Sequence, residues 1–172
     1  MNTLQDIHVL FESRAAQTVM IYRTGVRRFA YSYADLARLS RQCAAWLKAQ
    51  DIGKGDRVVI WSPNSPWWAV AFWGCVLRGA VVVPVDFMSG KGRAESIASH
   101  SGAKLILQSR YKLDPLERGN AANIEDIQYA IAQRATAPAA FRRSAFLRTS
   151  LTVVSGLWRR HGRCVDYTAT LR

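Results

Sequence analysis

The chain has 172 residues, of which 49% are hydrophobic, and this composition fits one soluble globular domain with a buried core. Its cysteines, Cys43, Cys75 and Cys164, are odd in number and far apart, which argues against a disulfide framework or a paired redox site and favours a reducing compartment. The formal net charge of +12 by itself suggests nucleic acid or an anionic membrane as partner. However, residues 1–131 hold 16 basic and 11 acidic residues, whereas residues 132–172 hold eight arginines and one acidic residue, so most of the excess lies in an arginine-rich tail.

The N-terminal segment predicts a short amphipathic helix rather than a secretion signal. Apolar side chains recur at helical spacing at Leu4, Ile7, Leu10 and Phe11, and we expect this helix to end near Ala15. No basic region followed by an apolar run is present, so we expect a cytoplasmic protein.

A hairpin and a long helix are predicted next. Residues 18–23 and 27–31 are rich in β-forming side chains and are separated by three residues that include Gly25, which indicates an antiparallel hairpin. Ser32, with Asp35 three residues later, is typical of a capping box at the start of a helix. The predicted helix extends to about residue 50, and its apolar face consists of Leu36, Leu39, Cys43, Trp46 and Leu47.

Residues 57–108 alternate between apolar runs and helical patterns. The runs at 57–61, 81–85 and 104–108 predict buried strands, and 93–101 predicts a helix closed by a glycine. A further helix is predicted between the first two strands, since Ser65 as N-cap and Pro66 at the first helical position form a strong start signal and Gly79 a stop signal.

One stretch, 67–85, has the length of a membrane span with a single charge, Arg78. Arg78 and Gly79 interrupt it and Pro84 follows, so a buried helix, a turn and a strand explain it better, and we expect no transmembrane span.

This order of elements predicts the α/β class, with a parallel sheet and helices on its faces. Residues 18–108 should form this portion, residues 113–123 a connecting loop, and residues 124–131 one more strand. The side chains expected to be buried in the sheet are those of Val58, Ile60, Val82, Val83, Leu105 and Ile106.

Five stretches, at 31–36, 53–58, 63–86, 101–106 and 125–131, carry a resemblance to a known family. The third is the most specific, because it combines a Pro-Asn-Ser-Pro helix start with a Leu-Arg-Gly-Ala turn into a valine-rich strand that contains proline. In their joint order, these stretches resemble the N-terminal part of the adenylate-forming (AMP-binding) family, which includes acyl-CoA synthetases, luciferases and peptide-synthetase adenylation domains.

The resemblance implies a partial doubly wound parallel sheet from the N-terminal part of an acyl-activating ligase. It implies that the intact parent uses ATP and Mg²⁺ to activate a carboxylic acid as acyl-AMP and then transfers the acyl group to coenzyme A. The acid expected is a fatty acid. The fifth stretch resembles a strand that runs into a Ser/Thr/Gly-rich loop ending Pro-Lys-Gly, which wraps the ATP phosphates.

That loop is not evident in this sequence. Residues 132–144 contain neither glycine nor lysine, although close approach of backbone N–H groups to phosphate requires small residues. We therefore divide the chain into a partial synthetase domain at 1–131 and a tail at 132–172, and expect the fragment to be inactive. No catalytic, cofactor-binding or metal-binding residue is assigned to it, and no cofactor is expected for the fragment alone.

The composition of the tail is typical of an out-of-frame translation of a GC-rich gene. The alternative is a non-catalytic binding module whose basic arm contacts nucleic acid or an anionic membrane, although no specific nucleic acid partner is indicated. Its candidate residues are Trp158, Arg159, Arg160 and Arg163. Arg142 and Arg143 are candidates for a phosphate contact instead, but the side chains around them would crowd the approach of the backbone.

Other isolated candidates have simpler explanations. His161 and Cys164 are too few to hold a metal, and neither His8 nor His100 has an evident acid or nucleophile as partner. Asp86 follows a strand, where ligand sites of α/β proteins lie, but it also fits a turn. Three tryptophans at near-helical spacing predict core packing: Trp67, Trp68 and Trp73.

We expect residues 132–172 to pack poorly, with at most one helix, because they show no sustained apolar period. Amide hydrogen exchange should therefore be fast through this tail. Slow exchange along its whole length would contradict the interpretation.

Overall fold

The computed structural model describes residues 3–136. Five α-helices, six strands and one 3₁₀ turn follow one another in this range. The helices are α1 Leu4–Ser13, α2 Tyr33–Ala49, α3 Pro66–Arg78, α4 Lys91–Ser101 and α5 Ile127–Thr136, with the 3₁₀ turn at Ile124–Asp126. The strands are β1 Thr18–Thr24, β2 Arg27–Ser32, β3 Arg57–Trp61, β4 Val81–Val85, β5 Leu105–Gln108 and β6 Ala121–Asn123.

A four-stranded parallel sheet with the order β4-β3-β5-β6 lies at the centre of the unit, and β1 and β2 form a separate antiparallel hairpin. The chain moves from β3 to β4 on one side, then crosses back over β3 to reach β5 on the other side. Right-handed crossovers in opposite directions place their helices on opposite faces of the sheet. This arrangement confirms the predicted α/β class and doubly wound parallel sheet.

Two hydrophobic clusters cover the two faces of the sheet. Val58 and Ile60 point into the cluster that contains the buried faces of α2, α3 and α5. Val59 and Trp61 point into the other cluster, where Ala94 of α4 packs. Because neighbouring side chains of a strand point to opposite faces, β3 is buried on both.

Local capping signals determine where the helices begin and end. The predicted capping box of α2 is confirmed, since Ser32 and Asp35 exchange side-chain and backbone hydrogen bonds. Ser65 caps α3 with Pro66 in its first turn, and Gly79 ends it in the left-handed conformation with φ of 70°. The start of α1 has a second capping box, between Thr3 and Asp6, that the sequence analysis did not identify.

The prediction of a buried strand at Val81–Val85 was right about the strand and wrong about its burial. Val81 is 48% exposed, Val82 and Val83 are half-buried, and only Val85 of this strand is buried. The reason is the sheet order: β4 pairs with β3 on one side only, so it is an edge strand. The other predicted core positions, at Val58, Ile60, Leu105 and Ile106, are confirmed.

Two predictions for the later segments were also wrong. The connecting loop predicted at 113–123 contains the short strand β6, which pairs with β5. The strand predicted at 124–131 is instead the 3₁₀ turn and the start of α5. Ile124, Ile127 and Ile131 are buried in the core at a spacing that suits a helix, so helical packing decided the structure of this segment.

The prediction for the tail covers 132–172, of which residues 132–136 form the end of α5 and residues 137–172 lie outside the described residues. Within residues 3–136, no helix has the length and apolar character needed to cross a membrane.

Helices α2 and α3 pack closely because Gly74 lies against Cys43. A Cβ atom added at Gly74 would come within 2.7 Å of Cys43 Sγ and 2.9 Å of its Cβ. Both positions are buried, so neither helix can move aside without disturbing the core.

We predict that Gly74→Ala lowers the free energy of unfolding by about 1–3 kcal/mol through overpacking. The matched control is Gly92→Ala in α4, where an added Cβ meets nothing within 4 Å and should stabilise the helix by up to about 1 kcal/mol. Urea denaturation measures both. Equal effects of the two substitutions would show that the Gly74 contact does not limit the packing of α2 and α3.

Candidate functional site

The carboxyl edge of the parallel sheet is the candidate site. Ligands of open α/β sheets bind outside the carboxyl ends of the strands, at the point where the strand order reverses. Here that point lies between β3 and β5. Ser62 and Ser109 follow these two strands, both are buried, and the backbone N–H of Ser109 donates to the Trp61 carbonyl at 3.1 Å.

A carboxylate from the start of the last helical segment closes this edge. Ser109 Oγ donates to Glu125 Oε1 at 2.6 Å, and the Arg110 backbone N–H donates to Glu125 Oε2 at 3.0 Å. The Arg110 guanidinium also pairs with Asp126. Glu125 thus has both oxygens occupied and connects the loop after β5 to the segment after β6.

Lys112 connects the same loop to the end of β4. Its ammonium donates to the Phe87 carbonyl at 2.7 Å and to the Ser89 carbonyl at 3.1 Å. It also lies 4.2 Å from the centre of the Trp61 ring and 4.8 Å from the centre of the Phe87 ring. An ammonium over aromatic faces gains electrostatic energy, so carbonyls and rings together hold Lys112 in place.

The cations at this edge are paired with oxygen atoms of the protein. Phosphate sites need free cations or a set of unpaired backbone N–H groups. Lys91, Arg110 and Lys112, from the loops after β4 and β5, are each engaged with carboxylate or carbonyl oxygens. The acidic side chains of Asp86, Glu125 and Asp126 follow strands at the same edge. The charged side chains described at this edge therefore hold its loops together.

A divalent metal has no evident site in the described part of the chain. Residues 3–136 contain no group of three or more His, Cys, Asp or Glu side chains placed to hold an ion. At the carboxyl edge, Glu125 and Asp126 are instead bonded to Ser109, Arg110 and Asn123, and Asp86 accepts from the Met88 N–H.

His8 is a buried side chain of α1 that packs among aromatic rings. Its ring centre lies 5.0 Å from that of Phe11 and 6.0 Å from that of Trp73, and its Nε2 has no hydrogen-bond partner among residues 3–136. Burial, with a smaller effect from Arg41, lowers the pKa of His8, so the neutral ring is favoured. These contacts indicate a packing role.

Cys43 and Cys75 are free, buried thiols. Burial raises the pKa of Cys75 to about 12 and raises that of Cys43 well above its ordinary value. Since the thiolate is the nucleophile, both cysteines are inert packing residues.

The remaining candidates divide into packing, turn and surface residues. Trp67, Trp68 and Trp73 pack against the core, as predicted. Asp86 forms a turn, since its Oδ1 accepts from the Met88 N–H at 2.9 Å, and His100 is exposed in the last turn of α4. The tail candidates lie outside the described residues: Arg142, Arg143, Trp158, Arg159, Arg160, His161, Arg163 and Cys164.

Sequence reasoning missed Lys112 and Glu125, the two residues that organise the carboxyl edge. Lys112 lies outside the stretches that carry the family resemblance, and Glu125 begins the fifth of them without any local sign of its contacts. Their partners are 23 to 25 residues and 15 to 16 residues away along the chain. Only the order of the strands brings these segments together.

A model of the AMP-binding enzyme family matches residues 11–148 of this chain. The FadD13 long-chain-fatty-acid–CoA ligase of Mycobacterium tuberculosis is 37% identical over 76 residues, which cover 44% of this chain and 15% of the ligase. The feruloyl-CoA synthase of Amycolatopsis is 32% identical over 80 residues, covering 46% of this chain and 16% of the synthase. The chain thus spans about one sixth of the length of these relatives.

The fold is similar to a solved adenylation enzyme. The N-terminal subdomain of NpsA from Klebsiella oxytoca superposes with a TM-score of 0.66 at 21% identity, over 80% of this chain and 34% of that chain. At this identity the likeness concerns the fold alone, and it agrees with the parallel sheet and flanking helices described above.

We predict that Lys112→Met lowers the free energy of unfolding by about 2 kcal/mol, because two charge-assisted hydrogen bonds are lost. Amides of residues 86–90 should also exchange faster, since the loop loses its anchor. Lys91→Met, which removes the exposed ion pair with Asp114, is the control and should cost less than about 1 kcal/mol. The role of Lys112 would be contradicted if both substitutions lowered the free energy of unfolding equally and the amide hydrogens of residues 86–90 exchanged at their original rate.

Proposed function

Because the chain belongs to the AMP-binding enzyme family, we propose that it is the N-terminal scaffold segment of an adenylate-forming ligase and that its 172 residues alone form no acyl-adenylate. The observation that carries this proposal is the neutralised carboxyl edge, where Glu125 and Lys112 bind parts of the protein itself.

The proposed parent reaction has two steps. A carboxylate oxygen attacks the α-phosphorus of ATP, acyl-AMP forms, and pyrophosphate leaves with Mg²⁺. The thiol of coenzyme A then attacks the acyl carbonyl, giving a thioester and AMP. A fatty acid is the substrate class we favour, and the long-chain-fatty-acid–CoA ligase among the relatives supports it. We place the protein in the cytoplasm, and the free thiols of Cys43 and Cys75 support a reducing compartment.

Within this reaction the described residues supply structure. A phosphate loop needs several backbone N–H groups that point at one anion, and small residues permit that approach. Residues 132–144, where the family resemblance implies the loop, hold five alanines, three arginines and no glycine. We therefore propose a division into family sequence at 1–131 and an out-of-frame tail at 132–172. The arginine-rich and lysine-free composition of the tail supports this division, whereas the match to the family model extends past it to residue 148.

The open edge of β4 supports the role of a scaffold. Val81 is 48% exposed and Pro84 is also exposed, although both lie in a strand of four valines. An exposed apolar edge strand offers unpaired N–H and C=O groups to which another element can add, and covering it is one way in which proteins protect such an edge. We propose that later parts of the parent ligase cover this edge.

We predict that the chain shows no adenine-selective binding in calorimetric titrations with ATP and Mg²⁺ at moderate salt. Weak attraction to arginines should be equal for ATP and GTP and should fade with salt, because exposed charges are screened over about 10 Å near 0.1 M. Carboxylate-dependent pyrophosphate exchange should be absent with fatty acids of several lengths, while an intact ligase such as FadD13 serves as the positive control. Micromolar, adenine-selective binding, or any carboxylate-dependent exchange, would overturn the proposal.

A further inference from the structure

The β1–β2 hairpin contains a like-charge pair that lowers its own stability. Arg23 and Arg28 are directly opposite each other in the antiparallel ladder, and Arg27 lies beside them. Like charges at opposed positions destabilise a sheet. No acidic residue occurs between Arg14 and Ala34 that could offset this repulsion within the segment.

These arginines have no partner elsewhere in the described part of the chain. Arg38 and Arg41 of the neighbouring helix α2 are paired with Asp35 and Glu12. By contrast, Arg23, Arg27 and Arg28 are exposed and form no ion pair or side-chain hydrogen bond within residues 3–136. The hairpin therefore presents three free guanidinium groups to solvent.

Apolar side chains accompany the free charges. Val26 is fully exposed, at 102%, in the two-residue turn where Gly25 adopts φ of 56°. Ile21 and Phe29 are exposed along the strands. The base of the hairpin, in contrast, packs on the core through Val19, Met20 and Tyr31. The hairpin is thus anchored at its base, and its tip combines cations with uncovered apolar groups.

We propose that the hairpin tip, residues 21–29, is a docking surface for a bilayer of anionic phospholipid. The arginines pair with lipid phosphates, and Val26, at the apex, enters the boundary between headgroups and acyl chains. Interfacial binding elements combine basic and apolar residues in this way. A nucleic acid fits less well, because the apex residue Val26 is aliphatic and Phe29 is a single exposed ring within residues 21–29, whereas single-strand binding uses several rings on which successive bases stack.

The test uses the full chain and two matched pairs of variants. Binding is measured by co-sedimentation with two kinds of vesicle: pure phosphatidylcholine, and an equimolar mixture of phosphatidylcholine and phosphatidylglycerol. The double variant Arg23→Gln/Arg28→Gln is compared with Arg93→Gln/Arg118→Gln, which removes the same charge from α4 and the loop after β5. Val26→Ser is compared with Leu113→Ser, because both side chains are fully exposed, at 102% and 103%. All variants keep the same eight tail arginines, so only differences between members of a pair report on the hairpin.

We expect the hairpin arginine variant to bind mixed vesicles about thirtyfold more weakly than its control, since each arginine near an anionic surface contributes about 1 kcal/mol. Val26→Ser should weaken binding about fivefold, and Leu113→Ser should not change it. Thermal unfolding of the hairpin arginine variant should occur at the same or a higher temperature, because the repulsion is relieved. This measurement separates loss of binding from loss of folding.

Equal binding within each pair would overturn the proposal. The proposal would also be overturned if the hairpin arginine variant lost binding to single-stranded DNA to the same extent and Val26→Ser did not change binding to vesicles. That result would indicate a nucleic acid surface.

Discussion

The burial of β3 on both faces is the constraint on which the rest of the structure depends. Val58, Val59, Ile60 and Trp61 each have 0% exposure, so apolar layers must cover the sheet above and below. One layer comes from α2, α3 and α5, and the other from α4. Two crossovers on opposite faces then require strands on either side of β3, and the strand order reverses beside it. The position of the candidate site follows from this requirement.

The same constraint explains why the carboxyl edge fixes loops. The segments that follow β4, β5 and β6 meet at this edge, and each brings backbone carbonyls or charged side chains into a small space. Lys112 and Glu125 satisfy these groups by binding Phe87, Ser89, Ser109 and Arg110. A site whose charges are already paired gives little electrostatic stabilisation to a reacting phosphate. Membership of the AMP-binding family and the proposed inactivity of this chain are therefore compatible, because the fold can be present without the groups that react.

The sequence was informative where structure depends on neighbouring residues. Ser32, Ser65 with Pro66, and Gly79 are capping signals, and each marks the helix end it predicts. The partial exposure of Val82 and Val83 could not be predicted, because edge and central strands have the same valine-rich pattern and only the sheet order separates them. The helix at Ile127–Thr136 was missed because a resemblance to a family strand outweighed the spacing of three buried isoleucines. The contacts of Lys112 and Glu125 depend on segments distant in sequence.

The central proposal is that family sequence ends near residue 131, inside the match to the family model that runs to residue 148, and that a change of reading frame removes the phosphate loop. Determining the nucleotide sequence of the gene beyond the codon for Ile131, and translating it in the other two frames, tests this most directly. The account predicts that one of these frames encodes a Ser/Thr/Gly-rich segment ending Pro-Lys-Gly immediately after this codon. If neither frame encodes such a segment, the arginine-rich tail is the true continuation of the chain, and the account is contradicted.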